Sequence, residues 1–445
     1  MTARSNWTLA AFSGPCLPYA ALGLPLAVTL PFFYSHYVGL AIGATGLAFL
    51  SVRLVDIFFD PAIGWAMDRT RNRFGPYRTW ITAGTPLLMI SVAMIFMVKP
   101  GEGFAYLFAW LLVMYLGFSI CTLAQLAWGA VLAPDYDQRS RLYGWWQSAN
   151  ILGVLLALAI PAVVLKAGLG DYVAGVHAMG WFIIGGLPLT LLLNLWVVPE
   201  PAPVLDRPKG GLAAYLALFA RSSVRRILVC DLLLGLAPGL TGALLFYYFQ
   251  YVKGFPPAQS QLFMVAYFVA GLVGAPFWSW LAARLGKHRA LLFASLSFAL
   301  LYAGVAFLPA GNFTVTLVGL FVAGLPYAAG LLLTRAMMAD VADEVRLETG
   351  EDRMGLLFSL LSLTTKLGYA ISVGALKLLD ISGFKDKADF HNGPTAILTL
   401  QILFIVVPTA LLLLAAWPLI GYPLGPARHA EIRTALALRD GAGKA

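Results

Sequence analysis

The sequence predicts an all-α polytopic membrane protein, with twelve transmembrane helices in two pseudo-symmetric six-helix halves. Composition is the first reason: of 445 residues, 60% are hydrophobic and only 11% charged, with a mean hydropathy of +0.81. A soluble fold of this length lacks the interior to bury so much apolar surface. The second is spacing, because apolar runs of the roughly 20 residues that cross a hydrocarbon core of about 30 Å recur along the whole chain. The third is division: the longest connection, residues 199–225, separates six such runs from six more.

The runs can be justified in order. The first, 13–37, carries Pro18, Pro25 and Pro31 with Gly23 between them. Each proline removes a backbone donor and bends a helix, so this segment is expected to border a substrate path. The second, 42–66, is interrupted by Asp56 and Asp60, and a basic turn leads to the third, 79–98. Segments at 103–133, 143–165 and 172–198 complete the half and supply sparse polar groups, among them Gln125, Gln147 and Asn150. The connection that follows is proline-rich (Pro199, Pro201, Pro203, Pro208), then mostly basic (Arg207, Lys209, Arg221, Arg225). The second half spans 226–251, 259–283, 289–309, 313–338, 354–378 and 395–421, and Asp231 near its start reads as interfacial. The expected organisation is a first half at 1–198, a linker at 199–225, a second half at 226–424 and a cytoplasmic tail at 425–445.

The halves echo each other. Asp60-Pro61…Asp68-Arg69…Gly75-Pro-Tyr-Arg78 follows the second segment, and Ala275-Pro276…Ala283-Arg284-Leu-Gly286-Lys-His-Arg289 follows the eighth. Each is an apolar helix, a basic glycine-containing turn and another helix. Two repeats of this kind are what two-lobed alternating-access transporters show.

Lysine and arginine set the orientation. With the N-terminus in the cytoplasm, the inner loops and tail hold nearly all the arginines, while the outer loops hold only Lys99, Lys166, Lys253, Lys385 and Lys387, with Lys377 near the edge. Both termini are therefore expected to be cytoplasmic, with the chain in the plasma (inner) membrane and lipid around it. This topology accounts for the net charge of +9. A nucleic-acid partner would want the basic residues on one continuous face, and here they are dispersed over short loops. Cys16, Cys121 and Cys230 lie in apolar segments without pairing or metal spacing. The five histidines are scattered, and no nucleophile–base pattern or phosphate-cradling glycine loop is present. An enzyme is not expected, nor a cofactor beyond a coupling ion. The N-terminus lacks a cleavable leader pattern, and the first apolar segment reads as an anchor.

Asp56 and Asp60 are one helical turn apart and share a face. Ionisable groups in hydrocarbon cost several kcal/mol unless they face protein, water or a bound ion. The pair therefore reads as a cation or proton site, with neutralisation by Arg53 as the structural alternative. Lys366, mid-segment in Leu363-Thr-Thr-Lys-Leu-Gly368, is too deep to snorkel and is expected to face the pair across a central cavity.

The stretch Asp56-Ile-Phe-Phe-Asp60-Pro61…Gly64…Asp68-Arg-Thr-Arg-Asn-Arg-Phe-Gly75…Tyr77-Arg78…Trp80 resembles the signature of the glycoside–pentoside–hexuronide:cation symporters of the major facilitator superfamily. Met338-Ala-Asp340-Val-Ala-Asp343-Glu344…Thr349-Gly350…Arg353-Met-Gly355…Phe358-Ser…Lys366 is similar to that family's acidic loop between helices ten and eleven and its helix-eleven lysine. The resemblance implies a major facilitator fold and cation binding, H⁺ or Na⁺, at Asp56 and Asp60. It also implies a small-molecule site lined by Trp128 and Lys366, which Gln125, Trp146, Gln147, Asn150 and Tyr19 would complete. Asp68, Arg78, Asp340 and Asp343 are expected to act as a cytoplasmic gate.

The chain departs from the pattern at three places. Ala124 stands where a third carboxylate is expected, Ala20 replaces a sugar-gripping carboxylate, and Trp146 falls at the position of a sugar-gripping arginine. Sugar hydroxyls need charged partners to compete with water, so these replacements predict a more apolar cavity. The leading expectation is symport of a glycoside or sugar conjugate by a monomer. The alternatives are cation-coupled transport of an amphiphile such as a lysolipid, and proton-coupled export of a hydrophobic compound.

Overall fold

The computed structural model describes residues 5–70, 74–132, 136–199, 212–351, 353–386 and 392–442. Among these, every regular element is helical. Eleven helical stretches are long and apolar enough to cross a membrane. The remaining expected segment is an interrupted run: α1 (Asn6–Ser13), α2 (Cys16–Leu24), a π-helical turn at Pro25–Thr29, α3 (Leu30–Phe33) and a second π turn at Tyr34–Val38. The prolines explain the interruptions. Pro15 lacks an N–H and its ring pushes back the preceding turn, and the wider π turn at Pro25 accommodates another missing donor. The run ends at Gly39, whose φ of 88° lets Leu40 N–H return 3.0 Å to the Tyr34 carbonyl.

The chain separates into two units, one comprising residues 1–206 with 373–397, the other 207–372 with 398–445. In the first unit follow α4 (Ile42–Arg69), α5 (Pro76–Phe96), α6 (Phe104–Leu132), α7 (Tyr136–Lys166) and α8 (Tyr172–Val197). Helix α6 packs between α4 and α5, and α2 lies along α7 and α8. Its apolar core includes Phe12, Ile81, Ile120, Trp128 and Leu142. Residues 373–397, expected in the second half, cluster here because α4 meets them closely: a Cβ built on Gly46 would lie 2.7 Å from Leu376 Cβ and 3.1 Å from the Val373 carbonyl. Beside that contact, Ser35 Oγ donates to Asp386 at 2.9 Å and His36 Nδ1 lies 2.8 Å from the same carboxylate.

The second unit contains α9 (Leu212–Phe219), α10 (Ser222–Tyr251), α11 (Pro257–Leu285), α12 (Lys287–Ala303), α13 (Phe313–Gly324), α14 (Tyr327–Thr349) and α15 (Met354–Ile381), whose last turns belong to the first unit. After α16 (Pro394–Gln401) come α17 (Val407–Ala416) and α18 (Pro426–Ala442). Within the expected linker α9 forms, and α10 starts at Ser222. Within the expected tail, α18 buries Ile432 and Leu436, four residues apart on one face, in the core of this unit.

Conformation strengthens the internal repeat that sequence only suggests. Gly75 precedes α5 at φ 92°, ψ 141°, and Gly286 precedes α12 at φ 89°, ψ 147°. Both occupy the same region, which residues with a Cβ rarely visit. At Gly286 an added Cβ would also lie 2.6 Å from the Pro426 ring. Gly286→Ala is therefore expected to cost about 1–3 kcal/mol from backbone strain, seen as a lower thermal midpoint of the purified protein.

Candidate ion and substrate site

On α4, Asp56 is 2% exposed, and Asp60 one turn on is partly buried. Helix α6 packs along this face and places Ser119 Oγ 3.1 Å from Asp56 Oδ1, donating to it. Ser119 is the polar partner that sequence analysis missed. Its hydroxyl supplies oxygen from the fourth membrane helix, while Ala124, at the position compared with a third carboxylate, is fully buried. The signal was a lone serine in an apolar helix, and only the relative rotation of α4 and α6 selects it. One turn before Asp56, the Arg53 guanidinium carbon lies 4.5 Å from the ring centroid of Tyr115 on α6. Together, buried Asp56 with its hydroxyl, Asp60 beside it and Arg53 on the flank form a charged strip inside an apolar span.

Of the expected substrate residues of this unit, Trp128, Gln125 and Tyr19 are buried, Trp146 and Asn150 partly so. Trp128 is fully buried, its Nε1 donates to the Pro199 carbonyl at 3.1 Å, and its ring meets Phe12 edge-on at 6.1 Å. Arg78, expected as a gate, lies 5.6 Å from the Trp128 ring and donates to the Val198 carbonyl. Trp146 packs on Phe12 at 5.9 Å, Asn150 Nδ2 donates to the Trp146 carbonyl on its own helix, and Gln147 is exposed. Tyr19 is buried beside Cys121 and Thr85. In this state Trp128, Gln125 and Tyr19 serve the interior of the unit and present little surface to a ligand.

Gln125 has a specific structural task. Where Pro15 breaks the first run, the Phe12 carbonyl is met by two side-chain amides: Gln125 Nε2 of α6 at 2.6 Å and Asn194 Nδ2 of α8 at 3.2 Å. Either amide alone leaves the carbonyl partnered. Gln125→Leu or Asn194→Leu is expected to cost no more than about 1 kcal/mol, whereas losing both leaves a buried acceptor unmet at about 1–3 kcal/mol more. Thermal unfolding of the two single variants and the double variant should show this excess over additivity.

In the second unit, Lys366 is partly buried midway along α15. At the end carrying the basic loops, Lys287 Nζ lies 2.5 Å from Asp340, and His429 of α18 lies 3.0 Å from Asp343 and 3.4 Å from Asp340. Arg221 pairs with Glu348 at 2.6 Å. The two gate acids expected here are thus tied to α12 and to the C-terminal helix. Nearby, burial pushes the Tyr422 hydroxyl well above its ordinary pKa, with Glu344 and Asp340 adding to the shift. The side chain of Asp68, the remaining gate residue, lies outside the described residues.

Comparison with known proteins places this arrangement. Residues 11–426 match the family model described as MFS/sugar transport protein. The chain is 26% identical over 422 residues to the glucuronide carrier protein homolog of Escherichia coli (strain K12), covering 91% of this chain and 90% of that one. It is 23% identical to the sodium-dependent lysophosphatidylcholine symporter 1 of Xenopus tropicalis, covering 95% and 88%. To the lactose permease of Lactobacillus delbrueckii subsp. bulgaricus it is also 23% identical, covering 82% of this chain but only 61% of the permease. Among solved structures, a D-xylose-proton symporter superposes with a TM-score of 0.68 at 17% identity, over 93% of this chain and 97% of that one. The chain is thus a multi-pass membrane transporter, not an enzyme, and it belongs to the MFS/sugar transport protein family of the major facilitator superfamily.

Proposed function

We propose that this transporter carries a glycoside or other sugar conjugate together with H⁺ or Na⁺, by alternating access, with Asp56 and Asp60 as the cation site. One observation carries the reading: a buried carboxylate within a membrane span, held by a Ser119 hydroxyl and followed one turn later by a second carboxylate. Acids in that setting are retained for ions that they bind and release. The names of the glucuronide and lactose relatives support the substrate class. In this reading the end with the basic loops is cytoplasmic, the protein works as a monomer in the plasma membrane, and Lys366 and Trp146 border the substrate path.

A second reading is favoured by a specific observation. Ala20 and Trp146 stand at positions where charge is expected for sugar recognition, and the lysophosphatidylcholine symporter is similar over nearly the whole chain. An amphiphile would suit a cavity lined that way. Uptake into proteoliposomes distinguishes the two, using a labelled glucuronide, lactose and lysophosphatidylcholine under imposed Na⁺ or pH gradients. Gradient-stimulated uptake of a sugar supports the first reading, and uptake of the lysolipid alone supports the second. Uptake that ignores both gradients overturns the coupling role of the acidic pair.

A further inference from the structure

The sequence suggests that Asp231 is an interfacial residue, but the structure buries it between three helices. The residue is 9% exposed. On α14, Thr334 Oγ1 lies 2.9 Å from its Oδ1. On α15, Thr364 Oγ1 and Thr365 Oγ1 lie 2.7 Å and 3.4 Å from its Oδ2. The two short separations are those of hydrogen bonds between oxygens, with the threonine hydroxyls donating to the carboxylate.

Counting hydrogens exposes a second property. Each threonine hydroxyl carries one hydrogen but has two acceptors in reach. Thr334 Oγ1 also lies 2.8 Å from the Gly330 carbonyl. Thr364 and Thr365 both approach the Leu361 carbonyl, at 2.9 Å and 3.0 Å. With the carboxyl ionised, the hydrogens of Thr334 and Thr364 point at it. With the carboxyl neutral, the Thr334 hydrogen turns to Gly330, and its oxygen accepts from the acid O–H. Both charge states are satisfied, and no heavy atom moves between them.

The charged groups on the surrounding helices are largely engaged elsewhere. On α10, Arg226 is held by the carbonyls of Ile420 and Gly421, with Arg225 beside it and Cys230 adjacent to Asp231. On α14, Arg335 is exposed with Nη1 on the Leu331 carbonyl, and Asp340 is paired with Lys287. Lys366 follows Thr365 on α15, and α17, which also packs on α10, carries no charge.

We propose that Asp231, with Thr334, Thr364 and Thr365, is a proton-binding site of the second unit, separate from the Asp56 and Asp60 pair. In the binding step one proton from solvent forms an O–H bond at Oδ1, and the carboxylate loses its charge. Hydrogen bonds to an ionised acceptor are roughly twice as strong as neutral ones. Protonation therefore loosens the tie that joins α10, α14 and α15. The site goes beyond the coupling reading above, and it stands or falls without a transported substrate.

The test is infrared difference spectroscopy of the full-length protein in lipid as the pH is lowered, with the proton as the only ligand. A carboxylic C=O band that shifts on deuterium exchange is expected in the wild type. It should be lost in Asp231→Asn and retained in the Asp56→Asn/Asp60→Asn double variant, which removes any band that the pair itself contributes. Thr334→Val keeps the side-chain shape and should shift the band by removing the partner of the acid. The site is overturned if wild type and Asp231→Asn give superimposable spectra at every pH where circular dichroism remains native. If Asp231→Asn does not fold, an unchanged band in Thr334→Val overturns it equally.

Discussion

Asn at position 60 is expected to leave the protein folded while removing the dependence of ligand binding on the coupling ion. Asp60 is partly buried on α4, and an amide of the same shape fits its place without the charge. What is lost is one of the two carboxylates proposed to draw a cation into an apolar span. The remaining one, Asp56, already receives a hydrogen bond from Ser119. Coupled sites usually raise each other's affinity about 5–150-fold. In Asp60→Asn that enhancement should vanish, with ion-free affinity changed less than about twofold, because the substituted side chain acts on the ligand only through the ion. Ser119→Ala should be milder: one hydrogen bond of about 1 kcal/mol amounts to roughly fivefold weaker ion binding. Ligand-induced thermal stabilisation, with and without Na⁺ and at two pH values, reads both effects by mass action. If Asp60→Asn keeps the full ion enhancement, the coupling ion binds elsewhere.

The contrast between Asp60 and Ser119 shows what was legible in the sequence. Hydropathy marks spans because each is a local run, and two acids four residues apart share a face wherever the helix points. The segments and the pair were therefore readable. Helix ends that pass beyond the apolar stretch were not. Helix α14 continues through Asp340, Asp343 and Glu344 until Gly350, at φ 77°, ends it. Helix α18 lacks the hydropathy of a span, and only Ile432 and Leu436 hint at its buried face.

Partnerships between helices were least legible, because each depends on how two or three separate helices are rotated. Ser119 with Asp56, the two amides on the Phe12 carbonyl, and the threonines around Asp231 all belong to this class. Trp128 illustrates the converse. Its family position suggested a ligand contact, while its indole N–H is already committed to the Pro199 carbonyl.

Leucine at Gly46 is expected to shift the transporter away from the state described here. A Cβ at that position would lie 2.7 Å from Leu376 Cβ, 3.1 Å from the Val373 carbonyl and 3.3 Å from the Lys377 nitrogen. Two of those three atoms are backbone and cannot rotate aside, so α4 and the last turns of α15 must separate. At Gly43, one turn earlier, the added Cβ would meet only the Asp380 side chain, at 2.0 Å from its carboxylate oxygen. That side chain can swing away at the loss of a half-exposed pair with Lys377, a contact of little energetic weight. Overpacking costs about 1–3 kcal/mol, and applied to one state of a two-state equilibrium this changes its population about 5–150-fold. The end of the first run, where Val38 is buried, should open accordingly. Alkylation of Val38→Cys by a membrane-impermeant maleimide measures it, against a low background because Cys16, Cys121 and Cys230 are all buried. Gly46→Leu should accelerate labelling by at least about fivefold, the lower bound of that population change, and Gly43→Ala should label at nearly the parent rate. Unchanged labelling in Gly46→Leu, with a lowered thermal midpoint, would instead make the contact a fixed part of the first unit rather than a closure that alternates.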